Sequence, residues 1–240
     1  MKILAIETSG SVGSVALCDW EGNPAAPPRD VRVLRERTLT EGLIHGRELA
    51  PAVKAVLDEA GLRPADLDLL TVSQGPGSYT GLRVGIAFAK TFAWSLGKPL
   101  VGAGSLAAMA ENATGAMAAA PVLDARWGQI YGAVYRCDAG RWREVVAPGA
   151  AAAADFAERI PAGAAVFGSA LQRYRDVLLR PDTAEGDAAW AIPHASVVAR
   201  LGLVSWLAAP RDEARTLVPL YLRPTEAEVN AGLKVKGGPP

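Results

Sequence analysis

The chain has 240 residues, half of them hydrophobic, which is enough for one large domain or two small ones with a sizeable core. Its 25 lysines and arginines balance its 25 aspartates and glutamates. No basic excess therefore advertises a nucleic-acid surface and no acidic excess a solvating tail, so any RNA site is local or belongs to a partner.

Cys18 and Cys137 stand far apart with no C-x-x-C pattern, which reads as two reduced thiols. Glu7 interrupts the opening apolar run too early for a signal peptide. No uncharged apolar stretch reaches the roughly 18–20 residues needed to span a bilayer. The expectation is a soluble, cytoplasmic protein.

Residues 2–7 read as a short apolar strand, 8–13 as a turn and 14–18 as a second strand, together a hairpin. Residues 22–29 hold three prolines and read as a loop or insertion. A third strand is expected at 31–37. A helix follows, with Leu49, Val53, Val56, Leu57 and Ala60 at helical spacing and Gly61 as its cap. Leu69-Leu70-Thr71-Val72 reads as a buried strand.

The stretch from Ser73 to Gly85, SQGPGSYTGLRVG, links that strand to a helix that runs to Leu96 and closes on Gly97. In a parallel α/β sheet such a turn lies at the carboxyl end of a strand, where sites are built. Two readings of it stand. It can be an anion cradle, with glycines admitting a phosphate to the backbone and the helix start. It can equally be a tight turn capped by Ser78 or Thr80. Neither a Walker lysine-hydroxyl pair nor G-x-G-x-x-G is present. Gly81, Gly85, Ala89 and Ala93 recur every four residues and form one small-residue stripe. That stripe lets another element approach closely, either the chain's own sheet or a partner helix.

Further on, 98–102 reads as a strand, Gly102-Ala103-Gly104 as a joint, and Ser105 as the cap of a helix over 106–112. Strands are expected at 121–124, 129–137 and 142–146, a helix at 155–160, a strand at 164–167, and helices at 171–179 and 194–207. Residues 218–223 read as a last extended segment and 234–240 as a frayed tail. The alanine runs 116–120 and 150–154 read as filling for loops and helices. This order suggests two α/β units, 1–103 and 104–240, hinged near 102–104, with the C-terminal segment free to pack back on the first.

Chemistry is scarce. His45 and His194 are isolated and read as surface or capping residues. No G-x-S-x-G elbow and no paired-histidine spacing occurs. Asp124-Ala125-Arg126 can hold a metal-bound water or act as a base, or it can simply tie a turn. Tyr221 beside Arg223 can stack on a base or tuck the C-terminal segment against the body.

The chain resembles the TsaB (YeaZ) family, bacterial partner proteins in tRNA threonylcarbamoyladenosine synthesis. The resemblance rests on Ile3-Leu-Ala-Ile-Glu-Thr8 and Gly75-Pro-Gly-Ser-Tyr-Thr-Gly-Leu-Arg-Val-Gly85. Asp124-Ala-Arg126, Tyr131 and Pro219-Leu-Tyr-Leu-Arg223 support it, and it spans nearly the whole chain. It implies a two-lobed α/β fold like the actin and sugar-kinase ATPases, of the ribonuclease H-like kind. It implies no catalytic residue, no metal and no cofactor of the chain's own. The implied role is to bind and activate the catalytic subunit TsaD, with the ATPase TsaE joining. The complex, using ATP and magnesium, moves a threonylcarbamoyl group from its adenylate to the adenosine beside the tRNA anticodon, so tRNA is met through the complex. The expected partner interface is a four-helix seam built on Gly81, Gly85, Ala89 and Ala93 with Leu49, Val53 and Val56. The same surface would form a homodimer when the partner is absent.

Three departures stand out: Glu7 where relatives often have Asp, Gln129 where Glu is common, and the insertion at 23–29. A glycoprotease role would need a nucleophile or metal set that these residues do not supply. The rival expectation is an independent ATP-using enzyme, with Glu7, Thr8, Ser9, Gly75 and Gly77 holding phosphates.

Overall fold

The computed structural model describes residues 1–22, 31–40 and 45–223. The readings of 23–29 as an insertion, of 234–240 as a frayed tail and of the His45 side chain lie outside the described residues.

The first unit comprises Met1–Ala108 and Pro193–Pro219. Its strands are β1 (Lys2–Glu7), β2 (Ser14–Asp19), β3 (Arg32–Thr38), β4 (Leu69–Gly75) and β5 (Leu100–Gly104), and its longer helices are α1 (His45–Glu59) and α2 (Tyr79–Leu96). The sheet order is β3-β2-β1-β4-β5. The β1–β2 hairpin is antiparallel, and β4 runs parallel to both β1 and β5. A parallel pair needs a crossover, which α1 and α2 provide.

β1 and β4 are buried on both faces, which is why they read as continuous apolar runs. Leu4, Ile6, Leu70 and Val72 meet Leu49, Val53 and Val56 of α1 and Ile86, Ala89 and Ala93 of α2. Ile3, Ala5 and Leu69 face the other way, against Ala195, Val198, Ala199 and Leu203. Those four belong to the last helix, Ala195–Ala208.

The structure corrects the expected domain boundary. Residues 193–219 belong to the first unit because this helix buries its apolar face on the first sheet. The following segment then covers the free edge of β5: Glu213 N–H donates to Leu100 O at 2.8 Å, and the Asp212 and Glu213 carboxylates accept from the Leu100 and Gly102 amides. Gly102 is no joint. It lies within β5, and a Cβ there would sit 2.3 Å from Gln74 Oε1 and 2.7 Å from Leu217. Residues 218–223 form no strand.

Among the described residues the second unit comprises Met109–Ile192 and 220–223. A short helix α3 (Ser105–Glu111) leads into it. Its strands are β6 (Ala118–Asp124), β7 (Gln129–Asp138), β8 (Arg141–Ala152), β9 (Ala165–Phe167) and β10 (Ala184–Glu185), ordered β10-β9-β6-β7-β8. Helices α4 (Ala153–Ala157) and α5 (Leu171–Leu178) complete it, so the helix Ala195–Ala208 is α6. The core gathers Val122, Ile130, Val134, Phe156, Ile160 and Val166. Most of the alanine run 116–120 enters β6, and the run 150–154 ends β8 and opens α4, so the expected loop and helix filling holds only in part. Ladder pairing across the sheet overrides their weak strand propensity.

Candidate functional site: the two faces of α2 and the turn that seats it

Ser78 caps α2 by accepting the Gly81 N–H at 3.2 Å, which settles the choice between Ser78 and Thr80. Gly97, in the left-handed region at φ 63°, closes the other end.

The small stripe faces the chain's own first hairpin. A Cβ on Gly81 would lie 2.1 Å from Thr8 O, and one on Gly85 would lie 2.1 Å from Thr8 Oγ1. The Thr8 hydroxyl donates to Gly81 O at 2.8 Å. Ala89 and Ala93 are fully buried in the same core. Leu49, Val53 and Val56 are likewise buried, against the sheet. The expected partner interface on these seven residues is therefore corrected: their side chains are spent on the chain's own packing.

The surface that α2 offers is its opposite face. Trp94 is 69% exposed and Tyr79 40% exposed. Arg83 stacks over the Tyr79 ring, 4.0 Å from its centroid. Ala87 is exposed between them, and Phe88 and Phe92, 5.5 Å apart, are partly covered. Helix α1 packs beside α2 and shows solvent Ala50, Pro51 and the Lys54–Asp58 ion pair. The signal was in the sequence: Tyr79, Arg83, Ala87 and Trp94 fall on the side of a 3.6-residue helix away from the glycine stripe.

Glu7, Thr8, Ser9, Gly75 and Gly77 are brought together at the carboxyl ends of β1 and β4. The close approach that Gly77 permits is taken by the protein itself: a Cβ there would lie 2.4 Å from Ser9 O, which already accepts the Ser78 N–H at 2.7 Å. Carbonyl oxygens of Thr8 and Ser9 thus crowd the glycines, with a carboxyl beside them. Lone pairs and a carboxyl are the wrong lining for a phosphate, so the cradle reading does not fit this turn. Glu7 is fully buried. Its Oε1 accepts the Ser9 N–H, while Oε2 has no hydrogen-bond partner among the described residues. Burial pushes its pKa up to about 7, against the pull of the Ser9 hydroxyl and N–H, the Ser73 hydroxyl and Gly10.

In the second unit the β6–β7 turn is held from several sides. Asp124 Oδ1 accepts the Arg126 N–H at 2.8 Å, so Asp124 ties the turn through the backbone. Arg126 and Trp127 are both left-handed, at φ 62° and 57°. The Arg223 guanidinium donates to Ala125 O and Arg126 O, which tucks the C-terminal segment against this turn. Tyr131 is half-buried; burial raises its pKa and Arg223 opposes that rise. Trp127, 62% exposed at the tip, carries no motif or periodic signal that would single it out in the sequence. His194 is the N-cap residue of α6 and makes no side-chain cap bond. Among the described residues no three His, Cys, Asp or Glu side chains gather as metal ligands, and no helix is long and apolar enough to cross a membrane.

Residues 44–231 match the family model described as tRNA N6-adenosine threonylcarbamoyltransferase, TsaD. The chain is 34% identical over 238 residues to a Bacillus subtilis protein named tRNA threonylcarbamoyladenosine biosynthesis protein TsaB, covering 95% of this chain and 96% of that one. Its fold matches the structure of YeaZ from Pseudomonas aeruginosa with a TM-score of 0.77 at 28% identity, over 92% of this chain and 99% of that one. A second Pseudomonas aeruginosa structure, described as having similarity to peptidase YeaZ, gives 0.78 at 26% identity, over the same 92% and 99%. The pair of mixed sheets flanked by helices is the actin-like, ribonuclease H-like α/β fold, and the chain belongs to the TsaB (YeaZ) family.

Proposed function

We propose that this chain is a non-catalytic, activating subunit in the synthesis of threonylcarbamoyladenosine on tRNA in the cytoplasm. It binds the catalytic threonylcarbamoyltransferase TsaD, and the ATPase TsaE joins the pair. ATP and magnesium serve the complex rather than this chain, and tRNA is met through the complex. The name of the Bacillus subtilis relative supports the pathway.

The observation that carries the docking role is the outward face of α2. Tyr79, Ala87 and Trp94 leave apolar surface open beside α1, on a helix whose inner face is fastened to the sheet. An exposed tryptophan and tyrosine next to an arginine have the composition of an interface centre. In the absence of TsaD the same face pairs with a second copy.

The test is an omission experiment with TsaD, TsaE, the adenylate-forming enzyme, threonine, bicarbonate, ATP, magnesium and unmodified tRNA. Modification should require this chain, and the chain alone should neither turn over ATP nor bind it in calorimetry. Full modification without the chain would overturn the reading. Trp94→Glu should weaken TsaD binding by roughly tenfold or more, as expected for a central aromatic anchor. Unchanged binding by the folded variant would remove α2 from the interface.

A further inference from the structure

Among the described residues of the first unit, Glu7 is the one carboxyl that is wholly buried and has an oxygen without a partner. Its other oxygen holds the Ser9 N–H, and the carbonyl of Ser9 holds the Ser78 N–H at the cap of α2. Between them, Thr8 bonds Gly81 O and fills the space over Gly85. The three-residue run Glu7-Thr8-Ser9 is therefore the seat of α2, and one side chain orients that run from inside.

We propose that Glu7 is a proton-operated latch on α2: as a neutral carboxyl it lets the first hairpin seat the helix, and as a carboxylate it leaves a buried charge without a counter-ion among the described residues and loosens that seat.

The surroundings support this. Ser9 and Gly10 meet the carboxyl from its own turn and Ser73 from β4, all neutral. On β2 its register partner is Ser14, whose hydroxyl accepts the Ala195 N–H of α6 at 2.9 Å. The titratable groups those elements carry nearby are His194, exposed at the start of α6, and Glu36 of β3, whose carboxylate accepts the Ser196 N–H. At the start of α2, Arg83 is stacked on Tyr79 and exposed. None of these charges contributes to the shift of Glu7. A buried carboxylate without a cation is costly, and the group meets that cost by staying protonated. The balance falls near neutrality, with the pKa pushed up to about 7. The link to partner affinity rests on the proposed docking role of α2; the latch itself does not.

The test uses the full chain. Carbon-13 NMR of the Glu7 carboxyl from pH 5 to 8.5 should show titration well above the ordinary carboxylate range; an ordinary midpoint overturns the proposal. At fixed pH 8, amide exchange at Ser78, Gly81 and Leu82 should be roughly tenfold or more slower in Glu7→Gln than in the wild-type chain, as expected when an ionisation penalty is removed from a local opening. Equal exchange in both would mean that ionisation does not reach α2. Ser73→Ala, which removes a hydroxyl favouring the carboxylate, should move the titration upward. No movement would overturn the described surroundings. If Glu7→Gln fails to fold at every pH, a neutral side chain is not tolerated there and the latch is overturned. All these readouts are taken without TsaD, so they stand or fall separately from the docking reading.

Discussion

The β1–β2 hairpin carries a buried carboxylate at each end, and the two behave oppositely. At the open end Asp19 is only 2% exposed, and Lys2 and Arg32 bond it at 2.7 and 3.0 Å, with the chain's amino terminus at 3.8 Å. Burial pushes its pKa up, but the hydrogen bonds and charges of those partners prevail and hold it below the ordinary carboxylate value. At the turn end Glu7 is more deeply buried and meets no cation among the described residues, so burial prevails. Both side chains are shielded from solvent, but Asp19 lies near the surface and Glu7 deep, and that difference decides whether a positive charge can reach in. At the open end the chain terminus and two long side chains do so. At the turn end Glu7 lies on the α6 face of β1, with Ile3 and Ala5, and is enclosed by the neutral Ser9, Gly10 and Ser73.

The hardest way to break this comparison is to refill the turn end. Gly85→Leu would drive a side chain into Thr8, and we expect destabilisation of at least about 3 kcal/mol by urea unfolding, in line with severe overpacking against a backbone seat. A stable Gly85→Leu would mean that the seat yields.

Glu7→Gln tests the same end electrostatically. The folded chain binds more protons than the unfolded chain between the ordinary value of 4.5 and about 7. Stability is therefore lost as pH rises through that window and stays lost above it. At roughly 1.4 kcal/mol per pH unit the penalty reaches about 3 kcal/mol at pH 8, which Glu7→Gln should recover while flattening the profile.

Asp19→Asn is the smaller counterpart. The stabilisation from Asp19 is present above its unfolded value of 3.8 and lost as pH falls through the lowered folded value. Lys2 and Arg32 are 31% and 67% exposed, so water screens the pair and the expected loss at pH 7 is about 1 kcal/mol. A wild-type acid limb that persists in Asp19→Asn would assign it to another group. Smallest of all, Trp94→Glu on the solvent face should change stability by about 0.5 kcal/mol or less, checked by thermal unfolding. A large loss would make that face structural.

Much of the fold was legible because its signals are local. Apolar runs predicted β1 and β4, and helical spacing predicted α1 and α2. Gly97 marked the end of α2, and its start was narrowed to Ser78 or Thr80, through cap chemistry that depends only on neighbouring residues. The family motifs are also contiguous in the chain, so the resemblance is carried by short stretches of sequence alone. The candidate interface was half legible. Sequence periodicity divided α2 into a small face and a large one, but it did not say which faced inward.

That assignment, and the burial of Glu7 without a counter-charge among the described residues, were decided by tertiary structure. So were the return of α6 to the first sheet, the role of Gly102 as clearance for Gln74 and Leu217, and the support that Arg223 gives the β6–β7 turn. Each depends on residues distant in sequence arriving at one place. The sequence by itself determined most of the elements and their order, because hydrogen bonding and side-chain period act within a few residues. Only the tertiary structure decided which faces are spent on the core and which carboxyl meets a cation, because burial and charge pairing depend on what lies across the space, not along the chain.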